Sequence, residues 1–230
     1  MAIHDGHRQR MKDRFRKEGL DHFDELHVLE LLLFYAIPRR DTNPIAHALL
    51  DRFGSLPQVL EAAPEELQKV DGVSENTAVF LSLIASVTRY YLVSRGSNTQ
   101  SLDTLDKCGA YILPRFCGLH NEVVYLLCLD AKCKVLSCKK LGEGSVNSAA
   151  VPIRKIVETA LQCNATTVIL AHNHPAGIAV PSADDLYATR KVAEALRAVE
   201  IRLQDHLVVA EDDYVSMTQS GFFHPEEYYP

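Results

Sequence analysis

Residues 166–185 read TTVILAHNHPAGIAVPSADD, a strand pattern that runs through two histidines into a turn and then into a helix pattern. The apolar, β-branched run from Thr166 to Leu170 predicts a buried strand. The Pro and Gly residues after it predict a turn, and Ser182 starts the helical pattern. We therefore expect a strand, a turn and a helix that bring polar side chains together at one end of a sheet.

Two histidines and an aspartate in this stretch have the spacing of a single metal site. Side chains two residues apart on a strand point to the same face, so His172 and His174 can bind one ion. The helix that begins at Ser182 returns a carboxylate toward the end of the strand. Two imidazoles and a carboxylate, with a fourth position left to water, are typical of catalytic zinc. We predict one Zn²⁺ bound by His172, His174 and Asp185, with Asp184 as the alternative ligand if the turn is shorter.

The start of the helix also has an interpretation that needs no metal. Ser182 and Asp185 fit a capping pattern, with the serine at the N-cap and an acid at the third helical position. Capping alone does not account for two histidines at a strand end. Metal binding is therefore the prediction, and capping is kept as the alternative.

The remainder of the second half alternates strand and helix patterns. An alternation of this kind predicts an α/β fold with one mixed sheet and helices on its faces. We expect helices at 103–115, 152–161 and after Ser182, and strands at 122–129, 134–141, 166–170, 201–210 and 214–217, with turns at 130–133 and 139–148.

Several segments resemble one known family. His172-x-His174, seven residues, Ser182, two residues and Asp185 together resemble the signature of the JAMM/MPN metalloproteases, and the surrounding His-Asn-His-Pro-x-Gly is similar to the RadC family in particular. Further segments similar to RadC proteins lie at 6–10, 29–34, 37–44 and 205–209. The resemblance implies the JAMM/MPN fold, which is cytidine-deaminase-like, and a zinc-dependent peptidase or isopeptidase that acts on a protein or peptide.

The resemblance also implies roles for residues outside the ligand set. JAMM enzymes use an upstream glutamate as general base, and Glu143 is the only acid in the segment 139–148 that resembles the corresponding part of RadC proteins. The alternative for Glu143 is a solvent-exposed residue of a loop. Ser182 corresponds to the residue that donates a hydrogen bond to the oxyanion of the tetrahedral intermediate. His206 is expected in the core of a closing strand, with a role in the site as the alternative.

Other classes of metal enzyme need motifs that the sequence lacks. Zinc deaminases carry His-x-Glu followed by Pro-Cys-x-x-Cys, whereas here His174 occupies the position of the glutamate and the sequence contains no Cys-x-x-Cys. The His-Glu-x-x-His of thermolysin-like peptidases is also absent. A metal-dependent nuclease stays open as an alternative, although few carboxylates lie near His172 for the second ion that nucleases often hold.

The composition is that of an ordinary globular protein. The chain has 230 residues, of which 47% are hydrophobic and 23% charged, and this length suggests one or two domains. We find no signal peptide and no apolar run near the roughly 20 residues needed to span a bilayer, so we expect a cytoplasmic protein with no membrane association. The six cysteines form no Cys-x-x-Cys pair, which indicates reduced thiols.

The first half reads as short helices from Asp24 to Leu92. Within it, residues 70–78 resemble a helix-hairpin-helix, whose glycine turn and helix start present backbone N–H groups to a phosphate. Gly72 and Ser74 are the predicted contacts there. The alternative is a hairpin that only packs two helices or contacts a protein.

The net charge of −6 means that any nucleic-acid binding must rest on a local patch. Arg8, Arg10 and Arg14 form the clearest patch, and they are the predicted phosphate contacts, with a solvated helix face as the alternative. The second hypothesis for function is therefore a DNA-associated protein of the DNA repair type, whose metal domain is accessory. The predicted organisation is a helical, helix-hairpin-helix-like domain at 1–93, a linker at 94–100 and a JAMM/MPN-type hydrolase domain at 101–230.

Overall fold

The fold is described by a computed structural model that covers residues 3–96, 101–144, 152–175, 177–211 and 213–229. The chain divides into two compact units, Met1–Thr88 and Arg89–Pro230. The first unit is helical, and the second contains a mixed sheet flanked by helices. The predicted fold class, an α/β domain preceded by a helical region, is confirmed.

Six helices occupy the first part of the chain, and their ends are explained by local sequence. Asp24 and Ser55 accept hydrogen bonds from the backbone at the starts of their helices, and Gly54 ends a helix with a positive φ of 94°. Leucines 29, 33 and 49 lie in the buried core of this unit. The helices are α1 Ile3–Glu18, α2 Glu25–Ala36, α3 Asn43–Phe53, α4 Leu56–Glu61, α5 Pro64–Leu67 and α6 Glu75–Gly96.

Helix α6 differs from the sequence-based expectation in its length. It has 22 residues, so the first half does not consist of short helices alone. Residues 94–96, assigned to a linker because they are small and polar, continue this helix, while residues 97–100 of that linker lie outside the described residues. The two compact units also divide earlier than the linker. The assignment of separate domains at 1–93 and 101–230 stays a prediction.

The same helix bears on the expectation about membranes. Within the described residues, Glu75–Arg95 is one helix that is long and apolar enough to cross a bilayer by length and composition alone. Inspection for uninterrupted apolar runs missed it because serine, threonine and asparagine lie among its apolar residues. Each compact unit also has a buried apolar core, as globular proteins do. Cytoplasmic location and lack of membrane association stay predictions.

The second unit is built on a five-stranded mixed sheet. The order across the sheet is β2-β1-β3-β4-β5, and β3 and β4 form the parallel pair while the other neighbours are antiparallel. β1, β3 and β4 are almost wholly buried, which explains the apolar runs at 123–129, 168–171 and 207–210. The strands are β1 Glu122–Leu129, β2 Val135–Gly144, β3 Thr167–Asn173, β4 Arg202–Ala210 and β5 Asp213–Ser216.

Helices cover both faces of this sheet. Side chains of α8 and α9 join the cluster that contains Val124, Leu126 and Leu170, and side chains of α7 join the cluster on the opposite face. A short 3-10 turn, Leu113–Arg115, extends α7 and completes the helix predicted at 103–115. The helices are α7 Leu105–Ile112, α8 Ile153–Gln162 and α9 Ala183–Arg197.

Strand β2 corrects the turn predicted at 139–148. Residues 139–144 continue the strand and pair with β1, with Glu143 opposite Val123 and Gly142 opposite Val124. Two glycines and two lysines gave this segment the composition of a turn, but pairing with a buried strand overrides local composition. Residues 145–148 of the predicted turn lie outside the described residues. Because Val124 also pairs with His172, the last residues of β2 and of β3 lie at the same end of the sheet.

Candidate metal centre

Three ligand atoms from the end of β3 and the start of α9 converge on one point. His172 Nε2 lies 2.9 Å from His174 Nε2 and 3.1 Å from Asp185 Oδ1, and His174 Nε2 lies 3.5 Å from Asp185 Oδ2. Among the described residues, these three form a group whose ligand atoms all lie within 4.8 Å of one another. The structure thus brings together the residues that the sequence analysis assigned to the metal, and the binding of an ion stays a prediction.

The separations of these atoms fit a tetrahedral zinc ion. Zinc binds imidazole nitrogen and carboxylate oxygen at about 2.0–2.2 Å, so two ligand atoms in a tetrahedral site are about 3.3 Å apart. The two nitrogens are 2.9 Å apart, and they lie 3.1 Å from Asp185 Oδ1 and 3.5 Å from Asp185 Oδ2, respectively, which are values on both sides of 3.3 Å. With one atom taken from each residue, all three lie within 4.8 Å of one another. His172 is buried, whereas His174 and Asp185 are partly exposed, so solvent reaches the group from their side.

The hydrogen bond of His174 shows which nitrogen of a neutral ring carries the proton. His174 Nδ1 lies 3.2 Å from the carbonyl oxygen of Ile178, and a carbonyl oxygen can only accept. The proton is therefore on Nδ1, and the lone pair of Nε2 points toward His172 and Asp185. Metal-binding histidines commonly donate their outer N–H to a backbone carbonyl in this way. The donor set therefore fits a divalent cation.

Two buried side chains extend the site inward from His172. His172 Nδ1 lies 2.8 Å from His206 Nε2, and His206 Nδ1 lies 2.6 Å from Thr189 Oγ1. Burial, and then the nearby charge of His172, lower the pKa of His206 well below the usual range of an imidazole. His206 is therefore a buried residue of β4, as expected, and it contacts His172, while a role in the site stays a prediction.

Asp185 takes part in the capping interaction as well as in the ligand group. Ser182 N and Ser182 Oγ both donate to Asp185 Oδ2, at 2.7 and 2.6 Å, and Asp185 N donates to Ser182 Oγ at 3.2 Å. Burial alone would raise the pKa of Asp185, but the hydrogen bond and charge of His172 and the hydrogen bonds of Ser182 lower it strongly. The carboxylate is thus ionised and aimed at both rings, whereas Asp184 is exposed and lies outside the ligand group.

Glu143 lies on β2 and not in the close group of ligand atoms. Its carboxylate accepts hydrogen bonds from Lys140 Nζ at 2.5 Å and from Asn121 Nδ2 at 2.9 Å. The hydrogen bond from Lys140, and then that from Asn121, lower the pKa of Glu143. The side chain is therefore an ionised and exposed carboxylate at the end of the sheet where β3 carries the two histidines. Its role as general base stays a prediction.

Asn173 is a supporting residue that the sequence analysis did not assign. Its Oδ1 accepts from the backbone N–H of Val123 at 2.7 Å, and its Nδ2 donates to the carbonyl of Asn121 at 3.1 Å. These bonds tie the end of β3, between the two histidines, to the start of β1. The available signal was its position, because a polar residue between two ligands on a buried strand needs partners of its own. Thr189 had a similar signal, one helical turn after Asp185.

The predicted phosphate contacts Arg8 and Arg14 make internal contacts in the structure. The Arg8 guanidinium donates to the carbonyl oxygens of Phe34, Ile37, Pro38 and Arg40 at and after the end of α2. Arg14 donates to the carbonyl of His22 at 2.5 Å and lies over the ring of Phe23. Arg10 is exposed. These contacts do not test DNA binding, but they show what two of the three guanidinium groups do within the fold.

Gly72 and Ser74 also have structural roles in the hairpin between α5 and α6. Gly72 has a φ of 88°, and a Cβ there would meet Ile45 Cδ1 at 2.8 Å, so the turn needs glycine to pack. Ser74 Oγ accepts from Thr77 N at 3.3 Å and caps α6. The interpretation as a packing hairpin accounts for both residues, and contact with nucleic acid stays untested.

The thiols agree with the expectation of a reduced protein. None of the six cysteines, all of which lie in described segments, forms a disulfide. Burial raises the pKa of Cys108 and of Cys128 to about 12, and that of Cys138 to about 11.

Comparison with known proteins gives a family match over the second unit and a relative over most of the chain. The model of the RadC-like JAB domain matches residues 102–222, which include the ligand group, Glu143 and His206. A UPF0758 protein of Fusobacterium nucleatum subsp. nucleatum is 32% identical over 225 residues, which cover 94% of this chain and 96% of that protein.

Proposed function

This chain belongs to the RadC family, and from that membership we propose that it is a zinc-dependent hydrolase of the JAMM type, which cleaves a peptide or isopeptide bond. The observation that carries the proposal is the convergence of His172, His174 and Asp185, whose ligand atoms all lie within 4.8 Å of one another. The hydrogen bond of His174 supports it, since Nδ1 donates to the carbonyl of Ile178 and Nε2 faces the carboxylate of Asp185, where a metal can bind it.

Zinc held by these three residues would lower the pKa of a water molecule to about 7 and so supply a hydroxide nucleophile. Glu143 would take the proton that this water loses on a carboxylate oxygen and pass it to the leaving amine. Lys140 and Asn121 each occupy one lone pair of the carboxylate, and every carboxylate oxygen keeps a second lone pair for the proton. These two neighbours would hold the carboxylate in place while it acts.

Ser182 would stabilise the negative oxygen that forms on the substrate carbonyl. Its hydroxyl hydrogen points at Asp185 Oδ2, so the hydroxyl must rotate toward the substrate to act. Asp185 would keep the backbone N–H of Ser182 as a partner during that rotation. A donor in this position is typically worth about 3–4 kcal/mol of the barrier.

The two alternatives have less support. A nuclease often holds two metals about 3.5–4 Å apart, and among the described residues the ligand group around His172 has one carboxylate. A DNA-associated function would use guanidinium groups that reach phosphates, whereas Arg8 and Arg14 bond to carbonyl oxygens of their own unit. We therefore retain the hydrolase as the proposed function.

The test is metal analysis of the purified chain followed by a cleavage screen. Zinc content is measured by mass spectrometry, and peptides, isopeptide-linked proteins and nucleic acids are offered with chelator, without chelator and with zinc restored. We expect about one zinc per chain and cleavage of a peptide or isopeptide substrate that chelator abolishes and zinc restores.

The matched control is a histidine outside the site. His174→Ala should lose zinc and cleavage, whereas His47→Ala, at an exposed position of α3, should keep both. Cleavage of nucleic acid alone would favour the nuclease. A chain that binds no zinc, or that cleaves equally well with chelator, would overturn the proposal.

A further inference from the structure

A continuous chain of buried hydrogen bonds runs from helix α9 through β4 to the inner face of the ligand group. Thr189, His206 and His172 are linked in that order, by contacts of 2.6 and 2.8 Å. Thr189 and His206 are 0% and 3% exposed, so water does not substitute for either partner. The order of donors and acceptors along this chain decides which nitrogen of His172 is free to bind a metal.

The direction of the chain is fixed at its helical end. Thr189 Oγ1 lies 2.6 Å from the carbonyl oxygen of Asp185, which can only accept, so the single hydroxyl hydrogen of Thr189 points there. The thioether of Met217, 3.6 Å away, is also only an acceptor. The hydroxyl must therefore accept from His206, and the proton of the His206 ring is on Nδ1.

The same reasoning carries the direction to His172. A buried imidazole without a carboxylate partner is stable as the neutral ring, which has one N–H. With that N–H on Nδ1, His206 Nε2 offers a lone pair to His172, and His172 Nδ1 must donate to it. His172 Nε2, which faces His174 and Asp185, is then the nitrogen that a metal can take, in place of any proton that it shares with Asp185 Oδ1 in the metal-free protein.

We propose that Thr189 and His206 are positioning residues that hold His172 in the tautomer able to bind zinc through Nε2. This inference rests on the proposed metal site. His174 reaches the same tautomer through the carbonyl of Ile178, so both ligand rings are oriented by acceptors outside the ligand group. For His172 the acceptor that fixes the tautomer is the backbone carbonyl of Asp185, which is reached through His206 and Thr189. The side chain of the same Asp185 is the proposed third ligand.

Replacement of Thr189 tests the hydrogen-bond network at the residue that fixes its direction. Thr189→Val keeps the β-branched shape and removes the hydroxyl, so His206 Nδ1 loses its acceptor. His206 is then expected to carry its proton on Nε2 and donate to His172 Nδ1, which moves the proton of His172 to the metal-facing Nε2. Thr189→Ser keeps the hydroxyl and is the matched control.

The direct readout is the ¹⁵N NMR spectrum of the imidazoles in metal-free protein, which distinguishes the two tautomers. We expect His172 Nδ1 to carry a proton in the wild type and in Thr189→Ser, and to be without one in Thr189→Val. Zinc affinity should fall by about 10- to 100-fold in Thr189→Val and stay near the wild-type value in Thr189→Ser. His206→Gln, which can accept from His172 and donate to Thr189, should keep most of the affinity that His206→Leu loses.

The outcomes separate this inference from the proposed function. An unprotonated Nδ1 of His172 in the wild type, or a folded Thr189→Val protein with unchanged protonation of Nδ1 and unchanged zinc affinity, would overturn the positioning role. A wild type that shows Nδ1–H but binds no zinc would overturn the metal site itself. It would also overturn the role proposed for the hydrogen bonds among Thr189, His206 and His172. Zinc binding without cleavage of any substrate would leave the positioning role supported and contradict only the hydrolase.

Discussion

The ammonium group of Lys140 donates to Glu143 Oε2 at 2.5 Å, and this ion pair holds the proposed general base in its ionised form. The two residues are three apart near the end of β2. The segment of β1 that pairs with this end of β2 also pairs with the end of β3. The basicity of Glu143 is therefore set by a neighbour on its own strand.

Removal of the Lys140 ammonium should move the acid limb of the pH–rate profile. Lys140 lowers the pKa of Glu143, so Lys140→Gln raises that pKa, and protonation begins at a higher pH. A base acts when unprotonated, so the acid limb of kcat/KM should shift to higher pH. Lys139→Gln, at the adjacent exposed lysine, is the control. An acid limb that stays in place in Lys140→Gln would contradict Glu143 as the base.

Ser182 has two roles that two substitutions can separate. Ser182→Ala removes the hydroxyl and the N-cap, while Ser182→Gly removes the hydroxyl but costs the helix only a few tenths of a kcal/mol. If Ser182 donates to the oxyanion, both variants should lower kcat by about 100- to 1,000-fold with zinc still bound. If it serves only as a cap, both variants should keep their turnover, and Ser182→Ala should be the less stable of the two.

Replacement of Asn173 should destabilise the second unit. Asn173→Ala leaves the backbone N–H of Val123 and the carbonyl of Asn121 without their partner, which should cost about 1–3 kcal/mol of the free energy of unfolding. Urea denaturation followed by circular dichroism measures this cost. Gln162→Ala, at an exposed position of α8, is the control and should change stability little. Equal stability of the two variants would argue against a supporting role for Asn173.

The buried thiols should resist alkylation. With a pKa of about 12, Cys108 and Cys128 have a thiolate fraction of only about one in ten thousand at pH 8, and the thiolate is the reactive form. Timed treatment with iodoacetamide and peptide mass spectrometry should show both unmodified while the partly exposed Cys133 reacts. All three should react in urea. Rapid modification of Cys108 in the folded protein would contradict its burial.

Arg8 should contribute to stability and not to phosphate binding. Lysine cannot reproduce the several N–H donors that Arg8 directs at the carbonyls after α2, so Arg8→Lys should cost about 1–2 kcal/mol and lower the Tm. Arg10→Lys is the control at an exposed position. An unchanged Tm in Arg8→Lys, together with weaker and salt-dependent DNA binding, would instead support the DNA-associated function.

The parts of the fold that were predictable are those in which local sequence and tertiary environment agree. Strands β1 and β3 are continuous apolar runs because both faces of the sheet are covered, and the capping pattern of Ser182 marked the start of α9. The convergence of the three proposed ligand residues was predictable for a related reason. His172, His174 and Asp185 lie within one strand–turn–helix unit, so their spacing in sequence reports their spacing in the structure.

The parts that were missed depend on contacts between distant segments. The end of β2 has the composition of a turn and becomes a strand only through its pairing with β1. Small polar residues at 94–96 suggested a linker, yet they continue a helix that began at Glu75. The contact of Thr189 with His206 joins α9 to β4, and no spacing along the chain reveals which of the buried polar residues will meet.

The carboxylate of Asp185 serves both a helix cap and the ligand group. Its rotamer is already restrained by two hydrogen bonds from Ser182 to Oδ2 before any ion arrives. The conformational entropy of this side chain is therefore lost when the helix folds and not during ion capture. A preorganised ligand of this kind favours tight binding. A substitution that destabilises the first turn of α9 would therefore lower the affinity for the ion even if every ligand residue were kept.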